Sequence, residues 1–95
     1  MTKHLMCDLE TLAVTPQATV LTLGAVHFNP YGNGYGDKLY LRIDIDEQDT
    51  LGREVDPKTI EWWSKQDPAI MEEAFNPDNR VSLSDAMDQF HKFAW

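Results

Sequence analysis

The run of residues 19–28 constrains the fold of this 95-residue chain more than any other feature. It is apolar or β-branched at nearly every position apart from Gly24, which is too continuous for a one-sided surface helix and predicts a strand. Residues 4–9 predict another strand, buried on most of both faces, and residues 38–43 alternate with the period of a third. The Gly- and Asn-rich stretch 29–37 predicts a hairpin that joins the strand at 19–28 to the strand at 38–43. We therefore expect a three-stranded, mostly antiparallel sheet.

Two Asp-Pro pairs, at residues 56–57 and 67–68, mark helix starts in the second half of the chain. Asp is a good N-cap, and Pro suits the first helical position. These pairs predict one helix that runs to about Gln66 and a shorter one that runs to Phe75, where Asn-Pro at 76–77 ends it.

A third helix is indicated by Ser82 and Asp85, which resemble a capping box. The apolar residues that follow recur at helical spacing, namely Leu83, Ala86, Met87, Phe90, Phe93 and Ala94. Strands followed by helices predict an α/β chain, no larger than one small domain.

The charge balance excludes several classes of protein. Eight basic against sixteen acidic side chains give a net charge of −8, which excludes a general basic clamp for nucleic acid. Cys7 is the single cysteine, so an internal disulfide is impossible and a reducing compartment, the cytoplasm, is expected. No apolar run approaches the length of a membrane span, so no membrane association is expected.

Asp8 and Glu10 are the first candidates for chemistry. Residues i and i+2 of a strand point to the same side, so the two carboxylates converge where the first predicted strand ends. Carboxylate pairs of this kind hold Mg²⁺ or Mn²⁺, which prefer oxygen ligands. The alternative for such a short pattern is a pair of ordinary solvated acids.

The surroundings of this pair resemble a known family. Residues 6–12, with the sequence Met-Cys-Asp-Leu-Glu-Thr-Leu, and the strand at 18–28 are similar to the first motif of the DEDD 3′-to-5′ exonucleases, which have the ribonuclease H-like fold. A second block resembles the phage and prophage members labelled exodeoxyribonuclease VIII-like; it comprises Gln48, Gly52, Arg53, Asp56, the run Thr59-Ile60-Glu61-Trp62-Trp63, and Gln66.

The resemblance implies a metal-dependent exonuclease that hydrolyses phosphodiester bonds at DNA or RNA 3′ ends. The family uses four acidic ligands and two metal ions, Mg²⁺ or Mn²⁺. Asp8 and Glu10 match the first two acids and are the implied catalytic and metal-binding residues. Thr11 and Leu12 match positions that hold the 3′-terminal nucleotide, and the alternative for them is a simple strand-to-loop connection. Trp62 is the tryptophan expected on the substrate side, and the alternative for it is plain packing. The second and third motifs do not map, so residues 1–95 are expected to be the N-terminal portion of a single ribonuclease H-like domain.

Other candidates have plainer interpretations. Trp63 is assigned to the core, on one helix face with Ile60. Cys7 points away from Asp8 by strand alternation and is expected to be a buried small hydrophobe. Arg53 is a phosphate contact or an exposed ion pair. Structural or surface roles are expected for the three histidines, which lack paired ligand spacing: His4, His27 and His91.

Two other possibilities stay open. An acidic interaction protein or DNA mimic would use its carboxylates directly as a binding surface, and a remnant half-domain would have no activity. The resembled fold also places a further strand beside the first one. Its absence is expected to leave residues 5–9 as an open edge and to expose Phe90, Phe93 or Trp95. A homodimer or a complementing chain is therefore expected.

Overall fold

The computed structural model describes residues 4–32 and 35–94, which form a mixed α/β structure with one four-stranded sheet. The elements in chain order are β1 (His4–Thr11), β2 (Val20–Phe28), β3 (Tyr35–Ile43), α1 (Ile45–Thr50), α2 (Pro57–Ser64), α3 (Pro68–Phe75), β4 (Arg80–Val81) and α4 (Leu83–Ala94). Within the described ranges, no helix is both long enough and apolar enough to cross a membrane.

The sheet has the order β1-β2-β3-β4 and is mostly antiparallel, as predicted. The expectation of three strands was wrong by one, because β4 pairs with β3 in parallel over two residues. This short strand is held by Arg80, whose guanidinium donates hydrogen bonds to the carbonyl oxygens of Leu21, Ile43, Ala74 and Asn76. Burial lowers the pKa of Arg80, and the nearby charge of Arg42 lowers it further.

The predicted helix starts are confirmed by their caps. The carboxylates of Asp56 and Asp67 accept hydrogen bonds from the backbone two residues on, and the Ser82 hydroxyl accepts one from the Asp85 N–H. α2 ends at Ser64, slightly before the expected end. α1 was not predicted; it is a six-residue helix.

Two apolar clusters stabilise the fold. In the first, α4 packs through Ala86 on one face of the sheet, with Phe90 and Phe93 partly buried against it. The expected exposure of these two phenylalanines was therefore wrong, and Trp95 lies outside the described residues. The second cluster joins the sheet to α2 and α3 and contains Leu12, Leu21, Trp63 and Ala74. Ile60, expected beside Trp63 in the core, is 39% exposed.

β1 differs from the prediction of a strand buried on both faces. Met6 through Leu9 are exposed, because β1 lies at the edge of the sheet and pairs with β2 alone among the described strands. Cys7 shares this exposure and is a free thiol, so the prediction that it is a buried hydrophobe was wrong. The predicted open edge at residues 5–9 is what the described sheet shows.

Candidate functional site

The acid pair lies on the face of β1 opposite to the α4 packing surface. Leu5 of the same strand packs on the α4 side, and alternation turns Asp8 and Glu10 to the other face. Asp8 is exposed and Glu10 is half-buried. The predicted convergence of these two residues on one side of the strand follows from this geometry.

Glu10 is fixed by the residue opposite it on β2. The pairing register places Thr22 across from Glu10, and the Thr22 hydroxyl donates a 2.6 Å hydrogen bond to Glu10 Oε1. Thr22 is only 2% exposed, so its hydroxyl has little access to water. One carboxylate oxygen of Glu10 is thus held by a buried donor, which orients the whole group.

Asp8 has a more open neighbour. Gly24 lies across from Asp8 on β2, and Tyr40 lies across from Gly24 on β3. Burial raises the pKa of Tyr40, and the carboxylates of Glu73 and Glu10 raise it further. Tyr40 therefore lies within electrostatic reach of both carboxylates.

A cavity of about 580 Å³, here called the Trp62 cavity, opens beside Glu10 between the end of β1 and α2. Its wall includes Glu10, Thr11, Lys58, Trp62 and Trp63. Its volume lies within the range of roughly 300–1,000 Å³ that is usual for small-molecule sites. An acid, a cation and an aromatic ring therefore share one concave surface.

The two neighbouring tryptophans have different environments: Trp63 is buried in the core and Trp62 is exposed. Trp63 is 5% exposed and its indole Nε1 donates a 3.0 Å hydrogen bond to the Thr11 carbonyl oxygen, which ties α2 to the end of β1. Trp62 is 56% exposed and stands edge-on to Trp63, with their ring centroids 5.1 Å apart. The assignment of Trp63 to the core is confirmed, and Trp62 lies at the cavity.

Thr11 and Leu12 are placed differently from each other. Thr11 lies on the cavity wall, and its hydroxyl donates to the Ala13 carbonyl oxygen at 2.8 Å. The Leu12 side chain is buried in the second cluster. The Leu12 N–H donates to the Thr19 carbonyl, and its carbonyl accepts from the Asp56 N–H. Leu12 therefore fixes the end of the strand and does not line the cavity.

The residues of the second block have structural roles that sequence reasoning missed. Arg53 donates hydrogen bonds to the carbonyl oxygens of Ala18 and Pro16, a structural role in place of the exposed ion pair that was one of its two expected contacts. The Gln48 amide is fully buried and bonds to both the N–H and the carbonyl of Val20. Both side chains hold the start of β2, which no local pattern could indicate.

Thr22 and Lys58 were also missed as site residues. Thr22 fits a β-branched strand pattern as well as any Val, and only the pairing register places its hydroxyl against Glu10. Lys58 is the second residue of α2, and no feature of the sequence indicates that it lies near β1.

The donor set of the site is carboxylate oxygen, which suits Mg²⁺ or Mn²⁺. Over residues 4–32 and 35–94, no group of three or more His, Cys, Asp or Glu side chains is arranged to hold a metal ion. His27 has a structural role, because its Nε2 lies within hydrogen-bond distance, 2.7 Å, of the Phe93 carbonyl oxygen on α4. Asp8 and Glu10 are thus a two-residue donor set within the described part of the chain.

Comparison with known proteins supplies the family. Residues 3–95 match the family described as the 3'-5' exoribonuclease Rv2179c-like domain. Searches of curated proteins and of solved structures found no match. The match covers nearly the whole chain and agrees with the 3′-to-5′ exonuclease resemblance of residues 6–12. The chain therefore belongs to the Rv2179c-like 3'-5' exoribonuclease domain family.

Proposed function

We propose that this protein acts in the metal-dependent removal of nucleotides from the 3′ ends of RNA, with Asp8 and Glu10 as metal ligands. The observation that carries the proposal is the placement of both acids on one sheet face, with Glu10 forming part of the Trp62 cavity. RNA is proposed over DNA because the family's description specifies an exoribonuclease. The narrower resemblance to phage exodeoxyribonuclease VIII-like enzymes would favour DNA, and dAMP and labelled single-stranded DNA in place of AMP and RNA in the assays below would test it.

The proposed metal is Mg²⁺ or Mn²⁺, bound to carboxylate oxygens of Asp8 and Glu10 and otherwise to water. In a two-metal mechanism the ions supply an activated hydroxide and neutralise charge on the phosphate under attack. Thr22 holds the Glu10 carboxylate in a fixed orientation for this role. Two ligands leave most coordination positions to water, so we expect an affinity in roughly the millimolar range.

The Trp62 cavity is proposed to hold the 3′-terminal nucleotide. The exposed indole of Trp62 offers a surface for a base, and such stacking is worth about 1–3 kcal/mol. Lys58 supplies a cation for phosphate, and Thr11 lines the same cavity next to Glu10 in sequence. Leu12 contributes by anchoring the strand end.

Residues 1–95 are proposed to be the N-terminal portion of one ribonuclease H-like exonuclease domain. The described residues supply two acids where the proposed two-metal mechanism needs about four, so we expect this chain alone not to trim RNA. The exposed Cys7 thiol fits a reducing compartment, and we propose the cytoplasm. No observation favours the acidic-mimic alternative.

Metal titration tests the site directly. Mn²⁺ should broaden the amide NMR signals of β1 selectively, and Asp8→Asn and Glu10→Gln should each remove this effect. Asp46→Asn is a matched control, because Asp46 is exposed on α1 and does not line the Trp62 cavity. Equal broadening in Asp8→Asn and in the wild type would show that the metal assignment is wrong.

Nucleotide assays test the reaction. AMP should quench the fluorescence of Trp62 in the presence of Mn²⁺, and Trp62→Ala should remove most of this change. Labelled single-stranded RNA incubated with the chain and Mn²⁺ should stay intact. Trimming that Glu10→Gln abolishes would show that residues 1–95 are catalytically sufficient, against the expectation above.

A further inference from the structure

The outer edge of β1 carries backbone groups that no described strand binds. β1 pairs with β2 on one side only, so every second residue directs its N–H and C=O away from the sheet. The pairing with β2 is regular from His4 to Glu10, so residues 4–10 form a continuous edge. Met6 is 54% exposed, Leu9 is 51% exposed, and Cys7 is an exposed free thiol. An edge of this kind is a template for another strand.

Symmetry limits how two copies of β1 can pair. A two-fold axis perpendicular to the sheet keeps each side chain on its own face, and residues directly opposite each other share a face. Each opposed pair therefore combines two even or two odd positions, and the axis passes through a residue. An axis at Asp8 or at Leu9 sets acid against acid, which is destabilising. An axis at Met6 aligns only residues 4–8.

An axis at Cys7 aligns the whole regular edge without placing like charges opposite each other. The opposed pairs are Glu10 with the partner's His4, Asp8 with the partner's Met6, Leu9 with the partner's Leu5, and Cys7 with the partner's Cys7. An imidazole thus meets a carboxylate, and one leucine meets another. We propose that β1 pairs in this antiparallel register with β1 of a second copy of the chain, which joins two four-stranded sheets into one.

This pairing adds a residue of the partner to the acid site. His4, Asp8 and Glu10 share one face of β1 by alternation, so the partner's His4 stands beside the Glu10 carboxylate. Asp8 and the partner's Asp8 become diagonal neighbours about 7–8 Å apart. Physiological salt screens charges over about 8 Å, so their repulsion is weakened. The pairing needs neither metal nor nucleotide and is therefore independent of the proposed function.

Oxidative cross-linking of the wild-type chain tests the register. Diamide accepts two electrons and two protons from two facing thiols and should link two chains through Cys7, in the absence of metal. The matched control carries Cys7→Ser and Met6→Cys, two changes at exposed positions. In the proposed register its thiols are diagonal neighbours at the limit of disulfide reach, so it should cross-link roughly tenfold more slowly. Equal or faster cross-linking of this control would overturn the register.

Sedimentation without metal tests the opposed charges. The wild type should form a dimer, and His4→Glu should weaken it about tenfold, because acid then faces acid at both ends of the paired strands. Adding Glu10→Lys to His4→Glu should restore the dimer. Tyr31→Lys is the control, because Tyr31 is 92% exposed and lies outside β1.

Three results would overturn the pairing and leave the proposed function standing. The first is a wild-type monomer, and the second is a loss of association in Tyr31→Lys equal to that in His4→Glu. The third is a monomer in which the outward N–H groups of β1 are protected from hydrogen exchange, since a segment of the same chain would then cover the edge. Species larger than a dimer would also contradict it, because a two-fold contact closes at two copies.

Discussion

Thr22→Val is the substitution that most directly tests how the acid pair is held. Valine keeps the β-branched shape that suits a strand and removes only the hydroxyl that donates to Glu10 Oε1 at 2.6 Å. A hydrogen bond to a charged group contributes about 1.5–3 kcal/mol to stability. We take about 1.5 kcal/mol, the lower end, because Glu10 is only half-buried.

Urea unfolding measures this loss. With a denaturant slope of about 1 kcal/mol per molar, expected for a chain of this size, the midpoint should fall by about 1.5 M. Thr22→Ser keeps the hydroxyl and should retain most of the bond. Metal affinity should fall in parallel by about tenfold, as is usual when the partner of a metal ligand is removed.

Thr19→Val is the matched control. Thr19 is 1% exposed, and its hydroxyl has no hydrogen-bond partner among the described residues. The same substitution there removes no bond and should be neutral or stabilising. Equal effects of the two valine variants, or no coupling between Thr22→Val and Glu10→Gln in a double-mutant cycle, would refute the reasoning.

Three further predictions concern stability and assembly. Arg80→Met should destabilise the fold by about 3 kcal/mol in urea unfolding, because carbonyl oxygens of β2, β3 and α3 lose the guanidinium that donates hydrogen bonds to them. A change below about 1 kcal/mol would contradict this role for Arg80. Burial and the Glu73 carboxylate raise the pKa of Tyr40 in the folded state above its ordinary 10.0. The neutral phenol therefore contributes to the free energy of unfolding, fully below pH 10.0, and this contribution is lost as pH rises through the raised pKa. Tyr40→Phe should therefore flatten the alkaline loss of stability measured by thermal melts, and an unchanged profile would argue against it. Sedimentation at micromolar concentration should show association through the open β1 edge, and Cys7→Lys should suppress it; a sharp wild-type monomer would exclude the proposed pairing.

The sequence predicted the elements whose signals are local. β2 follows from its continuous apolar run, and α2 and α3 follow from their Asp-Pro starts. These signals depend on the backbone preferences of a few adjacent residues, so they are readable without tertiary contacts. The assignment of Trp63 to the core is of the same kind.

Features that depend on distant partners were not predictable. β4 has two residues and exists through the Arg80 hydrogen bonds to distant carbonyls. α1 has no apolar stripe, and its buried Gln48 bonds to Val20, 28 positions away. Exposure of the Cys7 side chain depends on which elements pack beside β1, and strand alternation does not predict those neighbours. Within the site, alternation placed the acids on one face, but the Trp62 cavity could not be predicted.

The parallel pairing of β4 with β3 has a consequence for the order of folding. β1, β2 and β3 pair between sequence neighbours, whereas Arg80 reaches Ile43 across 37 positions and Trp63 reaches Thr11 across 52. Contacts between distant residues cost more loop entropy and tend to form late. We therefore expect the meander of the first three strands to form early, and the α2 wall to close over it afterwards. Stopped-flow fluorescence would then report tryptophan burial as the slower phase, after the backbone signal of the sheet. A partly folded chain would display its two carboxylates on an exposed strand before any surface existed to hold a nucleotide beside them.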